Sequence, residues 1–290
     1  MPSANGCSKT DHPSLSIARL TRMEPLMSKP NENKLAFRTG IGASDLDNIH
    51  LLGQDLAADL LGQITFGELA YWLITKRRPT AGQRGMFEAI LVALADHGFT
   101  PTAISARVTF HSAPDSIQGA LASGLLGGGS RFLGVTENSA NFLHDAIAKL
   151  PQLPTTDADW DAVATEIVAA AKAAGSFVPG LGHPVHKHGD PRTPVLFRLA
   201  REHDVFGAHL SLFEAIGRAH PAVLGKTLPL NGAGVCGAAI ADIDIPLGVS
   251  RGVALLARCA GLLGHLAEEL IDPIGNDIYM TVDRNTDYRP

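Results

Sequence analysis

GLGHPVHKHGDPR, residues 180–192, places His183, His186, His188, Asp190 and Arg192 within thirteen positions. Gly180, Gly182 and Gly189 leave room for backbone to approach a ligand. Three histidines raise the question of a metal. The spacing H-x-x-H-x-H, with neither a partnering Cys nor an HExxH helix, does not match a metal-ligand pattern, and no metal is assigned. A merely solvated polar loop fits the same composition. The setting gives the segment its weight, because it interrupts a chain that is otherwise helical by its apolar spacing.

That spacing begins at Leu56. Leu56, Leu60 and Leu61 start it, and after Thr65 (an N-cap with Glu68 three residues on) it continues from Phe66 to Ile74. QRGMFEAILVALA, residues 83–95, reads as an apolar helix ended by His97-Gly98. Helices are expected over 102–108, 114–126 and 138–149. DWDAVATEIVAAAKAA, residues 159–174, reads as an Asp-capped helix closed by Gly175. Two more follow at 194–203 and 207–219, and the apolar segment 249–270 is the last. Strand signals are nearly absent and aromatics make up only 6% of the chain. The expectation is an all-α protein. GLLGGGSRFLG, residues 124–134, is a second Gly-rich break, and loops that carry Arg and His on a helical scaffold are where chemistry usually sits.

Composition narrows the classes. At 290 residues the chain fits one large domain, or a large one with a small one. With 45% apolar and 18% charged residues it is not a disordered chain, and part of that apolar surface is expected to bury against a second copy. A net charge of −5 and the lack of any Lys/Arg run argue against nucleic acid as a partner. Cys7, Cys236 and Cys259 form no CxxC pair and no disulfide framework, and Cys236 and Cys259 read as small core residues. No apolar run of about 18 residues lacks a charge or a Gly/Pro break. The N-terminus shows no signal-peptide stretch. A cytoplasmic protein without a membrane segment is expected, with residues 1–35 as a mobile N-terminal arm.

The loop at 180–192 resembles, without a gap, the citrate synthase motif G-[FYL]-G-H-R-V-Y-K-x-x-D-P-R. LADHGFTPTAISARV, residues 94–108, is similar to that family's L-A-D-H-G helix, and GQDLAADLLGQITFGELAYWLITKRRPT before it also resembles the family. So does VSRGVALLARCAGLLGHLAEE near the C-terminus. The likeness covers about residues 36–270. It implies a helical fold with a large domain, 36–135 plus 240–290, and a smaller inserted one, 136–239. It also implies a homodimer and a cleft binding a small carboxylic acid and an acyl-CoA. His97, His183, Arg192 and Arg258 are the implied acid-binding residues, with His183 also catalytic. Gly180, Gly182 and Lys187 are the implied CoA contacts. No cofactor is implied beyond the coenzyme A thioester, which is itself a substrate.

Within the family, Ser130-Arg131-Phe132-Leu133-Gly134 is closer to the G-D-R-F-G-G-A loop of citryl-CoA lyases and of the lyase module of ATP-citrate lyase than to the synthase loop G-P-L-H-G-G-A-N-E. DPIGNDIY, residues 272–279, resembles the lyase tail. The implied function is therefore citryl-CoA lyase-like: reversible carbon–carbon cleavage or condensation between an acyl-CoA and a 2-oxo acid. The alternatives are a citrate or 2-methylcitrate synthase, and a non-catalytic paralogue that binds CoA esters or dicarboxylates. Two departures bear on the choice. The synthase His donor is missing, which leaves Ser130 or Arg131 to serve as catalytic groups there. The family's N-V-D base position is Ala233, with Asp242 and Asp244 as candidates to replace it, although both also read as solvated turn residues ahead of Pro246. Ile271 stands where members place a tail Arg, which suits an acid with one carboxylate fewer or a bulkier apolar one.

Overall fold

Threonine hydroxyls start several of the helices. The side chain of Thr65 accepts from Glu68 N at 3.1 Å and begins α1 (Phe66–Thr75). Thr80 and Gln83 form a reciprocal capping box at the start of α2 (Ala81–Ala95). Thr100 caps α3 (Pro101–Ser112), with Pro101 in the first turn, where its missing N–H costs nothing. After α4 (Ile117–Leu126) and α5 (Gly134–Ile147), Thr156 caps α6 (Asp157–Ala173). The cap of α6 is thus Thr156, three residues ahead of the Asp159 expected, because the hydroxyl reaches Asp159 N at 3.2 Å. The chain continues through α7 (Arg192–Glu202), α8 (Ala208–Leu224), α9 (Gly232–Asp242), α10 (Ser250–Glu269) and α11 (Gly275–Arg284).

This arrangement is that of a computed structural model describing residues 37–290, so the arm expected over 1–35 lies outside the described residues. The all-α expectation holds, with one small addition. β1 (Gly42–Ser44), β2 (Ile49–Leu51) and β3 (Gln54–Asp55) form an antiparallel meander in which Gly42 faces Leu51 and His50 faces Asp55. Strands this short carry no period-2 signal. The Leu56–Leu60 stretch is a single π-helical turn, capped by the Asp55 carboxylate.

Residues 40–290 form one compact unit. A large buried cluster joins Tyr71 and Phe87 of α1 and α2 to Leu143, Val168, Phe213 and Ile240 of α5, α6, α8 and α9. Each such side chain contributes about 1.5–3 kcal/mol on burial. The one hydroxyl that Tyr71 brings inside donates to Ile243 O at 2.7 Å, so it costs little there. A smaller cluster packs α3 and α4 against Leu262 and Leu266 of α10. Leu247–Glu269, whose most apolar 18-residue window has a mean hydropathy of 1.3, is long and apolar enough to cross a membrane by length and composition alone. It carries buried Arg258, His265 and Glu269 and packs against α2, α3, α4 and α5.

α10 is not the last helix. α11 follows it, in the sequence GNDIYMTVDR, which opens on Gly and holds β-branched and aromatic residues of low helix propensity. Tertiary contacts make it a helix. The Glu269 carboxylate accepts from the N–H groups of Ile274 and Gly275, at 3.0 and 2.7 Å, and so satisfies donors at the α11 start. Buried Arg107 of α3 holds that carboxylate in turn, and it also donates to Glu268 Oε2 at 2.7 Å and Asp272 O at 2.9 Å.

Candidate active site

A cavity of about 370 Å3 opens where α2 ends, α3, α5 and α9 begin, and α10 passes beneath. Local chemistry explains each wall. α2 stops at Asp96, whose backbone is extended (φ −143°), and Gly98 turns the chain at φ +72° while its N–H donates to Asp96 Oδ1 at 2.7 Å. His97 is thereby left outside both helices, facing the cavity. The other Asp96 oxygen accepts from Arg258 Nη1 and meets His265 Nε2, each at 3.1 Å. Burial would raise the Asp96 pKa, but the Gly98 N–H, His265 and Arg258 outweigh it and hold the carboxyl below its ordinary value. Arg258 is only 3% exposed, and its Nε is buried with no hydrogen-bond partner.

The loop at 180–192 is tied to the start of α9. Asn231 Oδ1 caps α9 by accepting from Gly234 N at 2.8 Å, while its Nδ2 donates to Gly182 O at 2.7 Å and its N–H to Gly180 O at 2.8 Å. Gly180 sits at φ +84°, and a Cβ there would lie 2.6 Å from the Phe213 ring and 2.9 Å from Gly234 Cα. Two glycines thus let loop and helix backbones touch. Buried Asp190 completes the anchor. It takes Arg192 Nε at 3.0 Å and Nη2 at 2.7 Å, and accepts from Gly232 N at 2.7 Å. Burial opposes the charged form, yet these donors push its pKa far below the carboxylate range. Arg192 Nη1 donates to Ala93 O at 3.0 Å, which ties the loop to α2.

The structure brings His97, His183, Arg192, Arg258 and Arg131 to this one cavity. The resemblance gave Arg192 a carboxylate to read with its fork, but the Nε–Nη2 edge is already filled by Asp190. Ser130 lies exposed beside Arg131, outside the lining. Lys187 lines a neighbouring depression and donates to His183 O at 3.0 Å. Gly180 packs inside, and Gly182 adjoins the cavity loop at φ +91°.

His97, His183 and His186 form a cluster, with candidate ligand atoms all within 4.8 Å. The Nε2 atoms of His97 and His186 are 3.3 Å apart. His183 Nδ1 accepts the backbone N–H groups of Val185 and His186, at 3.0 and 2.9 Å. A neutral imidazole carries one proton, so on His183 it sits on Nε2. That arrangement makes His183 a donor rather than a metal ligand. Burial, and then the charge of neighbouring His186, hold its pKa below the usual imidazole range and keep it neutral at pH 7.

No Asp or Glu lines the cavity among the described residues; Ala233 stands in its wall. Asp242 is not a solvated turn residue. Its side chain is 3% exposed and accepts from the N–H groups of Gly207, His209 and Leu210 at the start of α8, with His209 Nδ1 at 2.8 Å. Asp244 lies with exposed Arg77 at 3.3 Å. Two structural partners escaped sequence reasoning. Asn231 had the signal of an N-cap before a Gly-rich helix. Asp96 had none, because its partner Arg258 is 162 residues away.

Residues 65–279 match the family model described as citrate synthase, C-terminal domain. The chain belongs to the citrate synthase family. Among solved members, citryl-CoA lyase from Hydrogenobacter thermophilus superposes with a TM-score of 0.76 at 27% identity, covering 88% of this chain and 94% of that one. ATP citrate lyase from Methanothrix soehngenii, solved with citrate and coenzyme A, shares the fold at a TM-score of 0.72 and 22% identity, over 98% of this chain and 46% of that one. The Arabidopsis thaliana ATP-citrate synthase beta chain protein 1 is 28% identical over 200 residues, 63% of this chain and 31% of its own length. The chain thus spans less than half the length of the curated relatives it matches. Its membership in the citrate synthase family agrees with the helical layout and with the motif residues gathered at the cavity.

Proposed function

We propose that this protein is a citryl-CoA lyase-like enzyme that makes and breaks a carbon–carbon bond between an acyl-CoA and a 2-oxo acid. The observation that carries the reading is the convergence of neutral His183, with its proton on Nε2, and buried Arg258 on one cavity. In the cleavage direction a hydroxyl proton passes to an imidazole of the histidine cluster. The bond from the carbinol carbon to the acyl α-carbon breaks, and its electron pair forms the thioester enolate, which takes up a proton at the α-carbon as the imidazolium gives up the one it received. Condensation is the reverse. The His183 Nε2–H stabilises charge on the keto or hydroxyl oxygen, and a guanidinium holds the carboxylate. The thioester is a substrate, so the chemistry calls for no resident cofactor. Closure of segment 136–239 over the rest would exclude water and strengthen these contacts. Assembly as a homodimer in the cytoplasm completes the proposal.

Ala233 specifically favours a second reading, a paralogue that binds CoA esters without turning them over, because loss of a general base costs about 10²–10⁴-fold in rate. Purified protein assayed for free-thiol release and for thioester consumption, across acyl-CoA and 2-oxo-acid pairs, separates the two. Turnover abolished by His183→Ala supports the lyase. Tight CoA-ester binding without turnover of any pair supports the binder.

A further inference from the structure

His97, just past the end of α2, and His186, in the 180–192 loop, come from segments 89 positions apart, yet their Nε2 atoms lie 3.3 Å from one another. Two imidazole nitrogens on one tetrahedral Zn2+, each at about 2.0–2.1 Å, stand about 3.3 Å apart. The pair already has the bite of such an ion. The H-x-x-H-x-H spacing gave no metal pattern because one of the two ligands lies outside that loop. His186 also stands where the motif of the loop has Tyr. His97 is exposed and His186 half-buried, so an ion can reach them from solvent. Charge does not forbid it. Arg192 and Arg258 are paired with Asp190 and Asp96, and Arg131 and Lys187 are exposed, where water screens them.

We propose that His97 and His186 form a site for a divalent transition-metal ion of the Zn2+ class, and that filling it shuts off proton transfer in the cavity. Imidazole suits ions of this class and not Mg2+ or Ca2+. Oxygen from water or a carboxylate completes the coordination. His183 is not a ligand; its Nε2–H, in the same cluster, donates to an oxygen held by the ion. The inhibitory half rests on the lyase reading above, whereas the site does not. His183 cannot accept the hydroxyl proton, because Nδ1 is taken by the Val185 and His186 N–H groups and Nε2 already carries a proton. The acceptor is then His97 or His186. With Nε2 on the ion and the proton on Nδ1, neither ring can take another.

The test uses the full chain, stripped of metal with a chelator, and Zn2+ as the probe. Calorimetry should show a saturable site at micromolar Zn2+ and no heat with Mg2+, and Co2+ in its place should show the visible absorption of a tetrahedral ion. His97→Asn and His186→Phe should each weaken Zn2+ by about 10–100-fold, no less than the loss of a ligand's outer partner costs. His188→Asn, an exposed neighbour, should leave the affinity unchanged. Turnover is followed by thioester consumption, since free thiols capture the ion. At saturating Zn2+ it should fall by about 100-fold or more and return with EDTA. Lack of saturable Zn2+ binding, unchanged affinity in folded His97→Asn or His186→Phe, or an equal loss in His188→Asn overturns the site. Full turnover with the site occupied overturns the inhibition. Zn2+ binding with the expected variant pattern, but no turnover of any pair, upholds the site and defeats the lyase reading.

Discussion

Replacing Asp190 with Asn should destabilise the protein by about 3 kcal/mol at pH 7. In the native chain the carboxylate accepts four hydrogen bonds: from the backbone N–H groups of Arg192 and Gly232, and from Arg192 Nε and Nη2. An amide can keep its oxygen at Oδ1, but its NH2 group then meets Arg192 Nη2 and Gly232 N, donor against donor. Leaving a buried donor unpaired costs about 1–3 kcal/mol each, and removing one partner of a buried pair costs about 3–5 kcal/mol. The lower end applies because the Arg192 side chain is 23% exposed, so water can satisfy Nη2. Urea unfolding followed by far-UV circular dichroism reads the difference. Its pH dependence has a definite sign. Asp190 is depressed in the folded state, so its contribution is complete above the unfolded carboxylate value of about 3.9 and disappears as pH falls toward the folded value. The gap between the two proteins should hold from pH 6 to 8 and narrow below about pH 4. A loss under 1 kcal/mol, or a gap that widens in acid, would refute the assignment of Asp190 as the anchor of the loop.

Arg107→Leu should cost about 3–5 kcal/mol by stranding buried Glu269, and hydrogen exchange should show α11 losing protection first. Gly180→Ala should lower the melting temperature by several degrees, since the new Cβ meets the Phe213 ring at 2.6 Å in a left-handed backbone. Thr80→Ala removes the α2 capping box and should cost about 1 kcal/mol in the same urea experiment. Cys236, whose thiol burial pushes up to about 12, should resist iodoacetamide in the native protein and react only on unfolding, as peptide mapping would reveal.

The helices were legible where period and cap coincide, as at Thr65 and over the apolar run of α2. α9 and α11 were less so. Gly-rich GAGVCGAAIAD is helical because Asn231 caps it and its glycines admit neighbouring backbone, and α11 is helical because Glu269 accepts its first N–H groups. Asn231 and Glu269 adjoin the helices they start, but the backbone that the α9 glycines admit and the Arg107 that holds Glu269 lie far along the chain. The site divides the same way. His97, His183, Arg192 and Arg258 could be read from uninterrupted motifs, each carried on one short segment. The neutralisation of Arg258 by Asp96, and the loss of Arg192's fork to Asp190, are facts of side-chain geometry that residue types do not specify.

The wide separation of the site's partners also sets a timetable for biosynthesis. Asp96 precedes Arg258 by 162 positions, and Ala93 precedes Arg192 by 99. At about 5–20 residues added per second, the Asp96 carboxylate waits roughly 8–30 s on the ribosome before its guanidinium is made. Through that interval α2 can form, but the faces it will press against α9 and α10 stay bare. Long-range contacts of this kind are slow to close and leave apolar surface open to other chains. Once the cavity has formed, a ligand in it clasps early and late parts of the chain together, so its affinity adds to the stability of the whole fold rather than of one loop.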